Sequence, residues 1–438
     1  MKGVIVGGTR TGVGKTTITL ALLKGLANAG YDVQSFKVGP GFVDVRLHER
    51  VTERPCYNLD AFIMGEAGVK RELAKSNADM VVIEGASGMY TGASSTARIA
   101  DIIGVPIILT VDASASSESV AATVLGFAQY ASYTSYVAKV VGVVATRVGS
   151  DKHVNDIRRA LAKIGVPLLG VLRKEVWDLS RSLTTAPRQK EAVTDAALAA
   201  VYDELDVASI TSSASELPAH VPVPPLDIKA DITIGIPLDS AFCFYYRSNL
   251  EALEHAAKLE YFSPLTDRLP LVDALYVGGG YPEAHAQQLS ANAGLLDDIY
   301  SKAAEGMPIY AEGGGLAYLS RSLAAKDGVR HKLVGVIPAE VQVTDTLQAV
   351  GHSEAELVRD CAIAVKGERL RGHEYHHLVA VVDDDARFAY KMRRGRGIDG
   401  CDGIVEHNAI ASCQHAHVYA MRAGFDTFIR EARRYARS

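Results

Sequence analysis

The chain has 438 residues, of which 48% are hydrophobic and 22% charged, and its formal net charge is −5. This length predicts two domains that each bury a core. The mildly acidic charge gives no support for nucleic-acid binding, and the sequence has no basic run with interleaved aromatic residues. No apolar run reaches the ~18 residues of a membrane span, and the apolar strand at the start is predicted to leave no room for a signal peptide. Five scattered cysteines without C-x-x-C pairs indicate the reducing cytoplasm.

The first predicted elements are a strand, a glycine-rich loop and a helix. An apolar run at 3–6 precedes the loop and an apolar helical pattern follows it, and the loop residues are Gly8, Thr9, Arg10, Thr11, Gly12, Val13, Gly14, Lys15, Thr16 and Thr17. Glycines let backbone N–H groups turn toward phosphate oxygens, and a helix that begins there presents its positive end to them. The loop departs from G-x-x-x-x-G-K-[ST] because Thr9 takes the first position.

This loop predicts an ATP site. Lys15 can reach the β- and γ-phosphates, and the Thr16 hydroxyl can bind Mg²⁺. The alternative, an ordinary turn with a solvated lysine, is less favoured because a strand and a helix flank the loop on the correct sides. The predicted nucleotide-binding residues are Gly8, Thr9, Thr11, Gly12, Val13, Gly14, Lys15, Thr16 and Thr17.

Short apolar strands alternate with amphipathic helices through residue 172. The strands are predicted at 3–6, 33–38, 80–84, 106–111, 140–145 and 168–172, and the helices include 67–75, 116–129 and 153–164. This alternation predicts a doubly wound α/β domain at 1–210, with a parallel sheet covered on both faces. Ligands bind beyond the carboxyl ends of such strands. We therefore expect one cleft to gather Gly8, Lys37, Glu84, Asp112 and Thr146.

Two carboxylates of this half are candidate magnesium ligands. Glu84 closes a predicted strand, where it can hold Mg²⁺ beside Thr16 against the β- and γ-phosphates. Asp44 is the second candidate, for the metal or for steadying a phosphorylated substrate. A lone carboxylate at a strand end is more often a helix cap or a surface charge, but the phosphate loop favours the functional interpretation here.

A stretch rich in Ser, Pro and Ala, 211–230, is predicted to link two domains. Beyond it, strands are predicted at 232–237, 259–262, 274–277 and 307–311, and helices at 249–256 and 295–305. The alternation of strands and helices therefore resumes, and 231–438 is predicted to form a second α/β domain.

The phosphate loop and several later segments resemble known families. The loop is similar to that of dethiobiotin synthetase and its relatives, which phosphorylate a carboxylate with ATP. Segments spread from residue 3 to about residue 420 resemble the cobyrinic acid a,c-diamide synthases, a family that includes the sirohydrochlorin a,c-diamide synthases of nickel-tetrapyrrole synthesis. These segments are 37–40, 58–60, 241–246, 278–283 and 372–376.

The resemblance implies an amidoligase joined to a class I glutamine amidotransferase-like domain. The first domain would use ATP and Mg²⁺ to activate a carboxylic acid, namely a carboxylate of a tetrapyrrole. Its catalytic residues would be Lys15, Asp44 and Glu84, and its metal ligands would be Thr16, Glu84 and Asp44. The second domain would supply ammonia from glutamine, with His415 as the base and the glycine loop 278–280 on the oxyanion. The resemblance also implies a homodimer.

Three positions depart from the pattern of these relatives. Gly41 stands where they carry an aspartate, Thr91 where they carry an acidic residue, and Thr146 where they commonly carry an asparagine. Two carboxylates are therefore lost from one cleft. We predict an intact ATP site and an altered site for the acid that is activated.

The second domain lacks the expected nucleophile. Gly313 stands where the relatives carry a cysteine, and a glycine has no side chain that can attack an amide. We therefore predict no glutamine hydrolysis and a vestigial base at His415. Cys413 lies two residues before His415, and side chains so placed on a strand run parallel instead of converging on a third group. Cys243, which lies among aromatic residues, is predicted to pack in the core.

Three explanations of Gly313 follow. The chain is a natural relative that takes free ammonia or receives it from a partner, a relative with a different or lost reaction, or an engineered variant. The losses at Gly41 and Thr91 favour natural divergence. The leading function is tetrapyrrole amidation with ammonia, and the alternative is a non-catalytic paralogue that binds nucleotide, tetrapyrrole or a partner subunit.

One further motif suggests a different chemistry. The segment from His373 to His377 matches H-E-x-x-H, in which both histidines of a zinc protease share one face of a helix. A strand-like run, 378–382, follows it. We therefore expect no zinc protease site at this segment.

Overall fold

The protein is described by a computed structural model that covers residues 1–114, 116–177, 195–217, 226, 228–325 and 328–438. The chain divides into two compact units, Met1–Val223 and Pro224–Ser438. None of the helices in these ranges combines the length and the apolar character that a bilayer crossing needs.

The first unit is built on a mainly parallel sheet. Its strands are β1 Lys2–Gly8, β2 Val33–Val38, β3 Tyr57–Leu59, β4 Met80–Glu84, β5 Ile107–Asp112, β6 Val140–Val148, β7 Leu168–Arg173 and β8 Ser215–Glu216. Its helices are α1 Lys15–Asn28, α2 Val43–Thr52, α3 Ala61–Leu73, α4 Thr96–Ile103, α5 Glu118–Tyr130, α6 Asp151–Lys163, α7 Asp195–Tyr202 and α8 Val207–Ser213, with a 3-10 turn at Ala131–Tyr133. The strand order is β3-β2-β4-β1-β5-β6-β7, with all these pairs parallel.

Both faces of this sheet are covered, as the continuous apolar strands predict. Every residue of β2 and of β4 is buried, although successive side chains of a strand point to opposite faces. Because the strands run parallel, β1, β4 and β5 end at the same edge of the sheet, at Gly8, Glu84 and Asp112. The predicted doubly wound first domain is confirmed.

The chain stays in the first unit beyond residue 210. The Asp206 carboxylate accepts a hydrogen bond from the backbone N–H of Ser209 and so caps α8, whose Ile210 is fully buried. Strand β8 then pairs antiparallel with β1. Residues 211–217 are thus part of this unit and not of the predicted linker, because serine and threonine also suit a capped, packed helix. Residues 218–225 and 227 of that linker lie outside the described residues.

In its described residues, the second unit contains a ten-stranded mixed sheet and two smaller sheets. Its strands are β9 Thr233–Pro237, β10 Phe242–Phe244, β11 Lys258–Phe262, β12 Ala274–Val277, β13 Gly279–Gly280, β14 Ile309–Glu312, β15 Ser320–Ala324, β16 Arg330–Lys332, β17 Ile337–Val343, β18 Ala349–Leu357, β19 Arg369–His376, β20 Leu378–Val382, β21 Arg387–Arg394, β22 Cys401–Glu406, β23 Ala409–Ser412 and β24 His415–Ala416. Its helices are α9 Arg247–Ala256, α10 Ala286–Ala291, α11 Ala293–Ala304, α12 Gly314–Leu319 and α13 Arg422–Tyr435, with a 3-10 turn at Pro282–Ala284. The two smaller sheets have the strand orders β10-β13 and β16-β15-β17-β20.

The main sheet of this unit follows the order β11-β9-β12-β14-β23-β22-β21-β18-β19-β24. The pairs from β11 to β23 are parallel, and those from β23 to β24 are antiparallel. The parallel half carries the predicted α/β alternation. The antiparallel half was not predicted, because its strands are separated by turns and follow one another without intervening helices.

Candidate functional sites in the two units

The phosphate loop lies between β1 and α1. Gly12 and Gly14 have φ angles of 75° and 105°, which glycine adopts without the steric cost that a side chain imposes. Gly14 occupies the N-cap of α1, and no side chain caps this end. The first N–H groups of α1 therefore face the position where an anion can accept their hydrogen bonds.

Lys15 is the buried cation of this loop. Its Nζ donates hydrogen bonds to the backbone oxygens of Arg10 at 3.1 Å and Ser87 at 2.7 Å. Burial, followed by the positive charge of Lys37, lowers the pKa of Lys15 to about 8. A desolvated cation held by neutral carbonyl oxygens gains by exchanging them for phosphate oxygens, because bonds between charged partners are stronger. The position therefore fits a nucleoside triphosphate.

Glu84, at the end of β4, is the centre of a buried polar cluster. Its Oε1 accepts hydrogen bonds from Thr16 Oγ1 at 2.6 Å and from Lys37 Nζ at 3.0 Å, and its Oε2 lies 2.7 Å from Nε2 of His48. Burial opposes the charge, but Lys37 and His48 outweigh it and hold the pKa of Glu84 below its ordinary value. An ionised carboxylate next to the Thr16 hydroxyl is a pair of oxygen donors that suits Mg²⁺.

Asp44 joins this cluster through Lys37. Its Oδ2 lies 2.9 Å from Lys37 Nζ, and the side chain is one-third exposed. Burial lowers the pKa of Lys37, but Asp44 and Glu84 reverse this and raise it above its ordinary value. Within the described ranges no group of three or more His, Cys, Asp or Glu is arranged to hold a metal ion. Mg²⁺ in nucleotide sites uses one or two carboxylates together with water and phosphate oxygens, and Thr16 and Glu84 fit that pattern.

Replacing Lys37 by methionine should lower the free energy of unfolding of the first unit by about 3–5 kcal/mol, because it removes one partner of a buried ion pair and leaves the Glu84 charge with His48 alone. Urea unfolding followed by the fluorescence of Trp177, the single tryptophan of the chain, measures this change. Lys24→Met is the matched control, because Lys24 forms a more exposed ion pair with Asp195 and its loss should cost under about 1 kcal/mol. Equal small losses in both variants would contradict the expected role of Lys37.

The other side of the loop is held by groups from β5 and β6. Asp112 Oδ2 lies 2.7 Å from Nη2 of Arg10 and also pairs with the guanidinium of Arg147. Arg147 Nη2 donates to the backbone oxygen of Gly12 at 3.1 Å, and Thr146 Oγ1 donates to that of Val13 at 3.0 Å. The residues predicted to gather at the strand ends are thus brought together around the loop.

Three residues of this site were missed by the sequence analysis. His48 lies four residues after Asp44 on α2, so their i, i+4 spacing was a usable signal. Arg147 follows Thr146 at the end of β6, but its positive φ of 59° has no sequence signal. Trp177, whose indole lies against Gly14 of the loop, is far from the loop in sequence, and a local pattern does not connect the two.

Gly41 has open space on the side where a side chain would stand. A Cβ placed on it would meet no heavy atom within 4 Å. Its backbone oxygen accepts a hydrogen bond from Asn58 Nδ2 at 3.0 Å, which holds this turn. The space for a larger side chain is therefore present, and the chain leaves it unfilled.

In the second unit, Gly313 forms the turn between β14 and α12. Its φ is 51° and its ψ is −108°, and its N–H donates to the backbone oxygen of Ser412 at 2.8 Å. A sharp, strained turn from strand to helix is the conformation in which α/β enzymes expose a nucleophile. The backbone of a nucleophile elbow is therefore present, without the side chain.

His415 lies directly over this turn. A Cβ on Gly313 would be 2.5 Å from Nε2 of His415, and a Cβ on Gly279 would be 2.6 Å from its Cε1. Its Nδ1 lies 3.5 Å from Oε2 of Glu312, a fully buried carboxylate that also accepts hydrogen bonds from the backbone of Ala416 and from the Tyr276 hydroxyl. The predicted base, the glycine loop and the position of the missing thiol thus meet, and Glu312 was missed.

The two cysteines considered for this half have different surroundings. Cys413 is buried, and burial raises the pKa of its thiol well above the ordinary value, so the reactive thiolate is disfavoured. This agrees with the prediction that it does not replace the nucleophile. Cys243 is only half-buried and not packed in the core as predicted, because Phe242 alone among the three residues of β10 is buried, while Cys243 and Phe244 stay partly exposed.

The H-E-x-x-H segment begins on β19, which pairs antiparallel with β18, and its last histidine, His377, follows the end of that strand. His373 Nδ1 hydrogen-bonds the Tyr246 hydroxyl at 2.9 Å, and burial lowers the pKa of His373 well below its ordinary value. Glu374 accepts hydrogen bonds from the backbone N–H groups of Arg396 and Gly397. The motif is therefore on a strand, where its histidines cannot take the spacing of a helical zinc site.

Comparisons with known proteins match both units. Residues 4–183 match the CobQ/CobB/MinD/ParA nucleotide binding domain, and residues 233–423 match the CobB/CobQ-like glutamine amidotransferase domain. The chain is 40% identical over 427 residues to a cobyrinate a,c-diamide synthase of Haloarcula marismortui, covering 95% of this chain and 96% of the relative. It is 39% identical over 436 residues to the cobyrinate a,c-diamide synthase of Halobacterium salinarum, covering 98% of this chain and 97% of the relative. It is 34% identical over 455 residues to the cobyrinate a,c-diamide synthase of Archaeoglobus fulgidus, covering 98% of this chain and 97% of the relative.

Proposed function

The chain belongs to the cobyrinate a,c-diamide synthase family, and on that premise we propose that it amidates carboxylate side chains of a tetrapyrrole of the cobyrinate type. The proposed reaction depends on ATP and Mg²⁺ and takes its nitrogen from ammonia instead of glutamine. One observation carries this proposal: the ionised Glu84 accepts a hydrogen bond from the hydroxyl of Thr16, the residue that follows the desolvated Lys15. This combination suits a magnesium triphosphate.

In the proposed reaction, Lys15 leaves its carbonyl partners and binds phosphate oxygens, and Thr16 and Glu84 would hold Mg²⁺. The metal would neutralise negative charge on the phosphates. An oxygen of the substrate carboxylate attacks the γ-phosphorus, and ADP leaves. The nitrogen of ammonia then attacks the acyl carbon of the resulting acyl phosphate, inorganic phosphate leaves, and a proton is released from nitrogen to give the amide.

The nitrogen source follows from the second unit. Gly313 supplies no thiol, and Cys413 is a buried neutral thiol within two residues of His415. Glutamine hydrolysis needs a nucleophile activated by a base, and the glycine at position 313 offers His415 no nucleophile. Ammonia from solution, or from a partner protein, is therefore the proposed donor.

We expect amidation with ammonium and none with glutamine. The purified chain is given cobyrinate, ATP and Mg²⁺ with either ammonium or glutamine, and the diamide is detected by mass spectrometry while glutamate is measured separately. Diamide formed with ammonium, without glutamate release from glutamine, is the expected result because the carboxylate is activated in the first unit. Glutamine-dependent diamide with matching glutamate release would refute the proposed nitrogen source.

A second candidate function is a non-catalytic paralogue that binds nucleotide. The losses at Gly41, where a Cβ would meet no heavy atom within 4 Å, and at Thr91 favour it, because the family that the chain resembles carries an acidic residue at each position. In the same assay this candidate predicts ATP binding without diamide from either nitrogen source. Calorimetry with ATP and Mg²⁺ separates it from a chain that has lost the nucleotide site.

A further inference from the structure

Trp177 packs against the phosphate loop from the far end of the sheet. A Cβ on Gly14 would lie 2.5 Å from Cζ3 of its indole. The guanidinium carbon of Arg147 lies 4.4 Å from the ring centroid, a cation–π contact. The half-buried indole follows β7 in the chain and lies beside the phosphate loop.

Arg147 fixes this indole relative to the loop. Its guanidinium pairs with Asp112 and donates to the backbone oxygen of Gly12. Its backbone has a φ of 59°, a conformation that non-glycine residues adopt only when their surroundings hold them. The ring, the arginine and the loop thus form one connected group.

The strand order gives the direction in which a nucleotide extends. Strands β4 and β2, with Glu84 and Lys37, lie on one side of β1, whereas β5, β6 and β7 lie on the other. The metal and the terminal phosphate belong on the side of Glu84. A triphosphate that wraps around the first turn of α1 therefore carries its nucleoside toward β6 and β7, where Arg147 and Trp177 stand.

We propose that Trp177 is the residue on which the base of the nucleotide stacks, and that Arg147 positions the indole for this contact. The inference deepens the proposed function and rests on it, because it requires phosphates at Lys15. Aromatic side chains stack on bases of any sequence because each base offers a π-face. An indole is the largest such surface, and this chain has a single one.

Two probes test this, ATP and inorganic tripolyphosphate, each with Mg²⁺. ATP should change the emission of Trp177, and tripolyphosphate, which has no base, should bind without that change. In calorimetry, Trp177→Ala should raise the Kd of ATP by about tenfold and leave the Kd of tripolyphosphate unchanged. Trp177→Phe should restore most of the ATP affinity. Tyr133→Ala, at an aromatic residue 84% exposed, is the matched control and should change neither Kd.

Equal weakening of ATP and tripolyphosphate in Trp177→Ala would overturn the inference, because it would show that the indole only braces the loop. An unchanged ATP Kd would overturn it as well. A wild-type chain that binds neither probe would overturn the inference together with the proposed ATP site. Binding of tripolyphosphate therefore separates failure of the stacking contact from failure of the proposed function.

Discussion

Gly313→Cys should give this chain glutamine hydrolysis, raising glutamate release by at least about a hundredfold over the wild-type background. The backbone at this position already has the φ of 51° and ψ of −108° of an exposed turn between strand and helix. His415 faces the position through Nε2, and Glu312 lies behind its Nδ1. The variant thus adds the one group that a thiol–imidazole pair requires.

The new side chain needs a small movement of the histidine. A Cβ on Gly313 would be 2.5 Å from Nε2 of His415, so the ring must move back before the thiol can lie beside it. A non-glycine residue at this φ also costs about 1–3 kcal/mol. Gly313→Ala is the control, because it carries the same strain and the same contact without a nucleophile.

Glutamate release is measured for the wild type, Gly313→Cys, Gly313→Ala and Gly313→Cys combined with His415→Ala. Activity is expected in Gly313→Cys alone, because the alanine variant lacks sulfur and the double variant lacks the base. A folded Gly313→Cys chain whose thiol is titratable but which releases no glutamate would show that the second unit has lost more than its nucleophile.

Lys15→Met should lower ammonium-dependent amidation by about 10²–10³-fold, because it removes a fixed charge from the phosphates on which negative charge develops. It should also weaken ATP binding by about tenfold to a hundredfold, the effect of losing hydrogen bonds to a charged group. Methionine keeps the length of the side chain, so the change removes the charge more than the packing.

The matched control is Lys24→Met, on the same helix α1 but in an ion pair with Asp195 at the surface. It should keep both amidation and ATP binding within about twofold, because surface ion pairs contribute little. Diamide formation and calorimetric ATP binding are measured for both variants. If Lys15→Met retains the rate of Lys24→Met, the phosphates do not lie at Lys15 and the proposed function fails at its first step.

Local sequence pattern was sufficient for six strands of the first sheet and for the loop that follows β1. Apolar runs of a few residues separated by helical patterns indicate parallel strands because both faces must be covered, and the structure has a strand at each of the six predicted positions, with ends that differ by at most three residues. The short strands β3 and β8 were not predicted. The antiparallel half of the second sheet and the attachment of residues 211–217 to the first unit were not foreseen. Both depend on which strands become neighbours, and short polar segments do not specify that.

The chemistry of single positions was determined by the sequence itself. The glycines and Lys15 of the loop act within ten residues of one another, and the absence of a thiol at Gly313 is a matter of covalent identity. The tertiary structure decided which distant groups meet. Thr16 contacts Glu84 across 68 residues, His415 lies over Gly313, and Arg147 and Trp177 reach the loop. These contacts depend on strand order and on which strand ends share an edge, and strand order is set by the packing of the whole sheet rather than by any local run of residues.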